Sequence, residues 1–516
     1  MKKKSFLIVL GVCIGTTGFV WGANDKPLYK NPDAPIENRV EDLLRRMTLQ
    51  EKVLQLQNKP VGRIDEIERV FGGQSYGCTH EMGQTAEECA RIYNELQNYM
   101  LTKTRLGIPI LTAVEGIQGI LQNNSTLFPH AIAQGSTFNP GLIERMTEAA
   151  GAEAATMGIH QVLSPVFDIA RELRWGRVEE TYGEDPYLIA EMGIGFVKGY
   201  QKHRITCTPK HFVAHGTPTG GLNCAFVSGG EREFRSMHLY PFARVIKEAD
   251  PLCIMSCYSA YDGIPVSASP YYMTDVLRDE LGFKGYVYSD WGAIEMLKTL
   301  HYTAHNSEEA AMQAFTAGLD VEASSNCYPL LADLIKEGKL DEEILNESVR
   351  RVLYVKFKMG LFEDPYGERY AHCKMHPQEG VQLSKEISDE SVVLLKNENG
   401  LLPLNAEKLR SVAVIGPNAD QVQFGDYTWS RNNKDGMTPL AGIRQLLGDK
   451  VTVRYEKGCS LVSLDTSGIK KAVEVARQSE VAIVFCGSAS AALARDYKSS
   501  TCGEGFDLND LNLTGA

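Results

Sequence analysis

Several patterns that define common functional classes are absent from this sequence. Its 12 cysteines include no Cys-x-x-Cys pair, which argues against a zinc site and against thioredoxin-type chemistry. No Gly-x-Gly-x-x-Gly stretch follows the first predicted strand, so a dinucleotide-binding domain is not expected. The net charge of -12 argues against nucleic acid, whose binding requires a clustered basic surface. We therefore expect no cofactor, no metal and no nucleic-acid partner.

Long apolar runs are also absent beyond the N-terminus, where the sequence has the pattern of a signal peptide. Lysines at positions 2–4 form a basic region, an apolar region from Phe6 to Val12 follows, and small residues suited to cleavage lie near Gly22. Residues 15–18 interrupt the apolar run, which is too short to span a membrane. We expect residues 1–23 to be a signal peptide and the mature protein to be secreted or periplasmic, without stable membrane insertion. Oligomeric state and cysteine pairing stay open.

The length of 516 residues suggests two or three domains, and the 43% hydrophobic and 23% charged content indicates a globular protein. From residue 36 to 360, short apolar runs alternate with amphipathic ones, which is typical of β/α units. A run of this length favours a TIM-type (β/α) barrel over an open doubly wound sheet. The predicted barrel strands are Ile108–Val114, Val162–Phe167, Thr206–Thr208, Leu252–Ser256, Gly285–Ser289 and Gly318–Val321. The predicted helices include Leu142–Met157, Glu231–Ala249, Glu308–Ala317 and Asp341–Met359.

The pattern changes after residue 360. A polar stretch predicts an interdomain linker over residues 361–385, and residues 386–516 predict a second α/β domain. Its predicted strands are Val392–Leu395, Val412–Ile415, Val451–Tyr455 and Val481–Phe485, with a helix over Ser467–Gln478. The expected fold is thus α/β, a TIM-type barrel followed by a partial α/β sandwich domain that is incomplete at its C-terminus.

Polar or charged side chains follow the predicted barrel strands. Strand ends of a (β/α) barrel meet at one face, where active sites lie. A single buried polar residue is usually a satisfied structural group, but five strands that end this way predict a shared site. Carboxylates with basic partners bind hydroxyl groups well, which indicates a sugar. The residues concerned are Glu115, Asp168, Lys210, His211, Tyr258 and Asp290, with Arg171, Arg174 and Arg177 nearby.

Asp290 is the candidate nucleophile of a sugar hydrolase. Such an enzyme needs two carboxyl groups, one as nucleophile or base and one as acid. Asp290 directly follows an apolar strand that would hold it rigidly, and its neighbour Trp291 can stack on a sugar ring. The second carboxyl group need not come from the barrel.

Longer motifs connect these residues to a known family. Over essentially its whole mature length the chain resembles glycoside hydrolase family 3, in its β-glucosidase and β-xylosidase branch. The stretches that carry the resemblance are Arg46-Met-Thr-Leu-Gln-Glu-Lys, Arg174-Trp-Gly-Arg-Val-Glu-Glu-Thr-Tyr-Gly-Glu-Asp-Pro, Pro209-Lys-His-Phe-Val-Ala-His-Gly, Tyr286-Val-Tyr-Ser-Asp-Trp and Val392-Val-Leu-Leu-Lys-Asn-Glu-Asn-Gly-Leu-Leu-Pro-Leu.

The resemblance implies an exo-acting, retaining β-glycoside hydrolase that releases terminal non-reducing sugars from oligosaccharides or glycosides. It implies that Asp290 is the nucleophile and that Glu504, in the second-domain loop Gly503–Asp507, is the acid/base. It also implies substrate-binding roles for Glu115, Arg171, Lys210, His211 and Tyr258, to which the stacking argument adds Trp291. Gln118 departs from the family pattern, in which relatives often carry His.

Two alternatives remain. The chain could be a non-hydrolytic sugar-binding protein or an inactive fragment of such an enzyme, since it ends shortly after Glu504. A β-N-acetylglucosaminidase is a weaker alternative, because that branch carries an Asp-x-His sequence that is missing after Gly216. The choice between glucose and xylose, the linkage and the natural substrate are open.

Overall fold

A computed structural model of the chain describes residues 27–80, 85–367, 375–430, 432–491 and 499–515. The predicted signal peptide, residues 1–23, lies outside these residues. The described residues form a barrel and a smaller parallel sheet.

The barrel consists of short parallel strands joined into a ring. The strands of this part of the chain are β1 (Cys78–His80), β2 (Leu111–Val114), β3 (Gln161–Val162), β4 (Thr206–Cys207), β5 (Cys253–Met255), the hairpin β6 (Ala260–Tyr261) and β7 (Ile264–Pro265), and β8 (Tyr286–Tyr288). Strands β1 to β4 pair in that order, and β5 pairs with β8, all in parallel. The segment after β4 bridges to the end of β5 through Phe212 and Ser256.

Single parallel bridges close the ring. Tyr288 bridges to Val321, Glu322 bridges to Gln57, and Asn58 bridges back to Cys78 in β1. The predicted strand Gly318–Val321 is therefore reduced to bridges, and the segment at 57–58 was not predicted. Its mixed sequence, Gln57-Asn58-Lys59, lacks the apolar pattern of a strand, and its position is set by pairing with both neighbours.

Helices surround the barrel strands, and their buried faces form one apolar core with them. The α-helices up to residue 390 are α1 (Ile36–Arg46), α2 (Leu49–Leu54), α3 (Ile67–Phe71), α4 (Ala86–Lys103), α5 (Ala131–Ser136), α6 (Pro140–Thr156), α7 (Pro186–Gln201), α8 (Glu231–Glu233), α9 (Tyr240–Ala249), α10 (Ala293–Thr299), α11 (Ser307–Ala317), α12 (Leu331–Lys336), α13 (Glu342–Lys358) and α14 (Gln378–Glu390). The predicted capping box of α2 is present, with Thr48 accepting from the backbone of Glu51. Among the described residues, no helix has the length and apolar character needed to cross a membrane.

The second part is a three-stranded parallel sheet with two helices. It contains β9 (Ser411–Ile415), α15 (Pro439–Leu447), β10 (Thr452–Glu456), α16 (Ile469–Arg477) and β11 (Val481–Val484). Strand β9 is central and pairs with β10 on one edge and β11 on the other. The small core beneath it contains Val412, Val414 and Leu440. The division of the chain into domains at residues 360 and 385 stays a prediction.

The predicted strand Val392–Leu395 is wrong. These four side chains are 57–91% exposed, and the segment has no regular structure. None of the described strands pairs with this segment, and the sheet contains β10, β9 and β11 alone among the described residues.

Among the described residues, several side-chain hydrogen bonds join the two parts near the carboxyl ends of the barrel strands. The amide of Gln118 donates to the carbonyl oxygen of Phe424 at 2.8 Å, and the indole of Trp429 donates to that of Ser125 at 3.2 Å. His130 lies 3.1 Å from the carbonyl oxygen of Asp426. These contacts hold loops of the second part over the barrel mouth.

Candidate active site

Glu115 and Lys210 form a buried pair at the ends of two barrel strands. Glu115 directly follows β2, and Lys210 lies three residues after β4. The Lys210 ammonium donates to both carboxylate oxygens of Glu115, at 2.9 and 3.1 Å. Burial raises the pKa of Glu115 to about 7, although Lys210 opposes the shift. The pair presents a charged donor and a charged acceptor to the barrel mouth.

His211 connects three charged groups. Its Nδ1 lies 2.6 Å from the Asp168 carboxylate, and its Nε2 lies 3.1 Å from the Arg177 guanidinium. Because a guanidinium can only donate, Nε2 must accept, and the proton of the imidazole is therefore on Nδ1, which donates to Asp168. Burial lowers the pKa of His211 and raises that of Asp168. The ring is thus a neutral acceptor on the side that faces Arg177.

Arg177 is the centre of the charge network. Its guanidinium donates to both oxygens of the fully buried Glu180, at 2.6 and 2.9 Å, in the bidentate geometry that suits this pair. A further nitrogen lies 3.4 Å from the carboxylate of Glu504. Burial works to lower the pKa of Arg177, but the charges of Glu180 and Glu504 outweigh it and raise that pKa above its ordinary value. Arg177 therefore remains charged although only 1% of its surface is exposed.

Asp290 follows β8 and lies at the same face. Its Oδ1 accepts a hydrogen bond from the backbone of Trp291 at 2.7 Å. Its Oδ2 is buried 3.4 Å from Nε2 of His211 and has no hydrogen-bond partner of ordinary geometry among the described residues, although the nearby Tyr258 hydroxyl helps to lower the pKa of the carboxyl group. Burial raises the pKa of Asp290 to about 6, and the Glu504 carboxylate adds to the increase, whereas Arg177 opposes it. One oxygen is thus held in place and the other is left for a reacting atom.

Glu504 reaches this group from the second part of the chain. The Tyr427 hydroxyl donates to its Oε2 at 2.6 Å, and its backbone N–H donates to the Asp426 carboxylate at 3.0 Å. The Tyr427 ring also lies 5.3 Å from the Lys210 ammonium. Glu504 is therefore held by both parts of the chain, through Arg177 of the barrel and Tyr427 of the second sheet's loops.

The remaining predicted site residues have different positions. Tyr258 is buried beside the His215 ring, with centroids 5.8 Å apart, and burial raises the pKa of its hydroxyl. Trp291 is partly buried, and the centroid of its ring lies 4.9 Å from that of the His80 ring in an edge-to-face arrangement. Arg171 is exposed, and among the described residues no hydrogen bond or ion pair joins its side chain to this group. The substrate-binding role of Arg171 stays a prediction, and the arginine that the structure places in this group is the buried Arg177.

Four further side chains lie in the site: Asp168 and Arg177, which the sequence placed there without an individual role, and Glu180 and Tyr427, which were not predicted. Asp168 was placed at a strand end, and Arg177 and Glu180 lie inside a quoted family motif, so a signal existed for each. Tyr427 lies in the irregular segment between β9 and α15, where no pattern distinguishes it.

The arrangement suits acid–base chemistry on a polyhydroxylated molecule. Among the described residues, these ion pairs include five carboxyl groups and two cations, and two of the carboxyl groups, Asp290 and Glu504, come from different parts of the chain. Two carboxyl groups that act together, one as nucleophile and one as proton donor, are what glycoside hydrolysis requires.

Comparison with known proteins agrees with this geometry. The family model described as Glycosyl hydrolase family 3 N terminal domain matches residues 48–355, and the corresponding C-terminal domain matches residues 392–516. The chain is 31% identical to a β-xylosidase of Formosa agariphila over all of this chain and 68% of that one. It is 31% identical to a periplasmic β-glucosidase of Salmonella typhimurium over 90% of this chain and 64% of that one.

Solved structures are similar as well. A β-glucosidase from Erythrobacter marinus has a TM-score of 0.86 at 30% identity, covering 95% of this chain and 70% of that one. A β-glucosidase from Listeria innocua in complex with glucose has a TM-score of 0.80 at 29% identity, covering 93% and 66%. The chain thus spans about two thirds of the length of these relatives. The predicted fold class and enzyme class, a glycosidase that hydrolyses O-glycosyl bonds, are confirmed. The chain belongs to glycosyl hydrolase family 3.

Proposed function

We propose that the protein releases terminal β-linked glucose or xylose from oligosaccharides or glycosides with retention of configuration, using Asp290 as nucleophile and Glu504 as acid/base. The sugar class follows the printed names of the relatives, which are β-xylosidases and β-glucosidases. The observation that carries the assignment is the chain of contacts Glu504–Arg177–His211–Asp290, with distances of 3.4, 3.1 and 3.4 Å. It brings two carboxyl groups from separate parts of the chain to one buried cation.

In the first step, the free Oδ2 of ionised Asp290 attacks the anomeric carbon. The bond from that carbon to the glycosidic oxygen breaks, and the carboxyl proton of Glu504 passes to the departing oxygen, which leaves as an alcohol. The products are a sugar esterified to Asp290 and an ionised Glu504. The Arg177 charge favours both ionised carboxylates, since it lowers the pKa of Asp290 and lies 3.4 Å from Glu504.

In the second step, ionised Glu504 removes a proton from a water molecule. The water oxygen attacks the anomeric carbon, the ester bond to Asp290 breaks, and the free sugar leaves with its original configuration. Both carboxyl groups return to their starting states, so no further reactant is required.

The sugar hydroxyls would meet buried donors and acceptors on the barrel floor. The Glu115–Lys210 pair and the Asp168–His211 pair provide charge-assisted hydrogen bonds. The exposed part of the Trp291 ring can stack on a sugar face, and the Tyr258 hydroxyl can contact the nucleophile side. Arg177, which contacts both Glu504 and His211, supports the same group of donors.

Asp290→Asn and Glu504→Ala test the assignment. We expect Asp290→Asn to abolish turnover of aryl glucosides and xylosides, because it removes the nucleophile but preserves the shape. Glu504→Ala should regain activity on a good leaving group when azide is added, since azide needs no general base. Asp510→Asn, on an exposed carboxylate near the same loop, is the matched control and should behave like the wild type.

The outcomes separate the alternatives. Wild-type turnover by Asp290→Asn would exclude it as nucleophile, and an absence of azide rescue would move the acid role away from Glu504. Hydrolysis of an aryl N-acetylglucosaminide, without hydrolysis of aryl glucosides or aryl xylosides, would favour a β-N-acetylglucosaminidase. Binding of glucose in calorimetry without turnover by the wild type would favour a non-hydrolytic protein.

We also propose that the protein is secreted or periplasmic after removal of residues 1–23. The basic and apolar pattern at the N-terminus supports this, as does the similarity to a periplasmic β-glucosidase. Detection of the protein in a periplasmic or culture fraction, with residue 24 as the new N-terminus, tests it.

A further inference from the structure

The loop that carries Glu504 is hydrogen-bonded to the barrel on both sides of that residue. The backbone N–H of Gly503 donates to the carbonyl oxygen of Gly176 at 2.9 Å, and that of Leu508 donates to the carbonyl oxygen of Arg174 at 2.7 Å. The loop thus runs along the barrel segment that follows β3. These backbone contacts are independent of the side chain of Glu504.

Asp507 adds a charged contact between this loop and two barrel loops. One oxygen of its carboxylate accepts the backbone N–H of Gly176 at 2.9 Å, and the other accepts that of Asn223 at 2.6 Å. Gly176 belongs to the loop after β3, and Asn223 belongs to the loop after β4. The Asn223 side chain in turn accepts from the Trp175 indole at 2.9 Å, which links the two barrel loops directly. Hydrogen bonds from N–H groups to a carboxylate are stronger than neutral ones.

The contacts form a closed ring around the acid/base. Gly176 directly precedes Arg177, whose guanidinium lies 3.4 Å from the Glu504 carboxylate. Asp507 follows Glu504 by three residues and is bound to Gly176. The position of the Glu504 carboxylate relative to Arg177 is therefore constrained through the backbone as well as through the ion pair.

Gly176 shows how closely the two segments approach. A Cβ atom at this position would lie 2.2 Å from the carbonyl oxygen of Gly503 and 2.6 Å from that of Phe506. Both oxygens belong to backbone, which cannot yield without moving the loop. A side chain at 176 would thus push the loop, and Glu504 with it, away from the barrel.

We propose that Asp507 is a positioning residue for Glu504, which it holds against Arg177 by binding two barrel loops at once. The inference rests on the proposed acid/base role of Glu504. Its consequence is specific: loss of the Asp507 carboxylate should weaken proton transfer more than sugar binding or nucleophilic attack.

Leaving-group dependence tests the inference. We compare kcat/KM of the wild type and Asp507→Ala on aryl glycosides from dinitrophenyl to phenyl, because only the poorer leaving groups need a proton. A displaced acid group should cost roughly 100-fold on the phenyl glycoside and less than about 3-fold on the dinitrophenyl glycoside. Asp507→Asn retains one acceptor oxygen and should fall between these limits, whereas the control Asp510→Asn should match the wild type.

A purely structural role gives a different pattern. A uniform loss across all leaving groups, with a lower Tm, would overturn the proposal. Glu504→Gln is measured in parallel: if it shows no leaving-group dependence, the acid/base assignment itself fails. If Glu504→Gln shows that dependence and Asp507→Ala does not, the positioning role fails and the assignment stands.

Two further measurements test the proposal, one on the loop amides of Asp507→Ala and one on a second variant. Hydrogen exchange of the Gly503 and Leu508 amides should be faster in Asp507→Ala, and unchanged rates would contradict the proposal. Gly176→Ala should reproduce the leaving-group dependence from the barrel side. Its control is Gly230→Ala, where an added Cβ meets no atom within 4 Å. Equal profiles for the two glycine variants would show that the close approach at Gly176 does not position the loop.

Discussion

Replacing Arg177 by Met should move the pH dependence of the enzyme to higher pH. Arg177 is one of the charges that lower the pKa of Asp290, against the burial that raises it to about 6. Nucleophilic attack needs ionised Asp290, so activity falls below that pKa. Without Arg177, the burial and the Glu504 charge that raise the pKa of Asp290 meet less opposition, so that pKa must rise.

The size of the shift follows from the contacts. The Arg177 guanidinium lies 3.1 Å from Nε2 of His211, which lies 3.4 Å from Oδ2 of Asp290. The two charges are therefore at most about 6.5 Å apart, the sum of those distances. With an effective dielectric constant of about 20, this separation corresponds to about 2.5 kcal/mol, or nearly 2 pH units. The acid limb should move from about pH 6 to about pH 8.

The assay is kcat/KM against pH on a dinitrophenyl glycoside. This substrate needs no proton from Glu504, so loss of that group's acid form at high pH does not obscure the result. At pH 6 we expect roughly a 50-fold loss relative to the wild type from ionisation alone, and a much smaller loss at pH 9. Arg174→Met is the control, since Arg174 is on the same segment but pairs with Glu172 away from the mouth.

Stability must be measured alongside, because Glu180 loses its bidentate partner in a fully buried position. Breaking one side of a buried pair costs about 3–5 kcal/mol, and a lower Tm is expected. Arg177→Lys preserves the charge without the fork, so it should retain an acid limb near that of the wild type. An acid limb of Arg177→Met that stays at the wild-type pH in folded protein would refute the electrostatic reasoning.

Three further predictions concern other side chains. Tyr427→Phe removes a 2.6 Å hydrogen bond to the Glu504 carboxylate, which is worth about 1.5–3 kcal/mol. The kcat/KM on phenyl glycosides should therefore fall roughly 10-fold or more, whereas that on dinitrophenyl glycosides should change little. Equal losses on the two substrates would contradict this prediction. His80→Ala removes the ring whose centroid lies 4.9 Å from that of Trp291. Steady-state kinetics should show a KM about 3- to 10-fold higher, with kcat little changed. Burial lowers the pKa of His238 to about 4, so its contribution to stability is present above pH 6.5 and is lost as pH falls toward 4. Relative to the wild type, His238→Asn should therefore gain about 2 kcal/mol in the free energy of unfolding between pH 7.5 and pH 5, by denaturant titration; a constant difference would exclude the linkage.

Much of the fold could be predicted because its elements have strong local patterns. The helix predicted over Glu231–Ala249 exists as α8, a π-helical turn at Phe234–His238 and α9. The strands before Glu115 and Asp290 also exist, although shorter than predicted. The prediction failed at Val392–Leu395, where strand formation depends on pairing with another strand and not on the local sequence. An apolar run becomes a strand only through pairing with a neighbouring strand, and no described strand pairs with this run.

The site likewise contains residues that the sequence could predict and residues that it could not. Glu115, Lys210, His211 and Asp290 could be found because each lies at or just past the end of a strand, where barrel geometry brings side chains together. Arg171 and Arg177 belong to one irregular segment, in which no periodicity tells which side chain points inward. Their exposure differs completely in the folded chain.

The sequence by itself determined the family, the α/β barrel and the position of Asp290, because motifs and apolar periodicity are local properties of the chain. Only the tertiary structure decided that Arg177 rather than Arg171 lies between the two carboxyl groups, and that Asp507 and Tyr427 hold Glu504 beside them. These contacts join residues that are far apart in the chain. They depend on how loops pack across the barrel mouth, where many distant segments compete for the same space and no local pattern selects the pairs that meet.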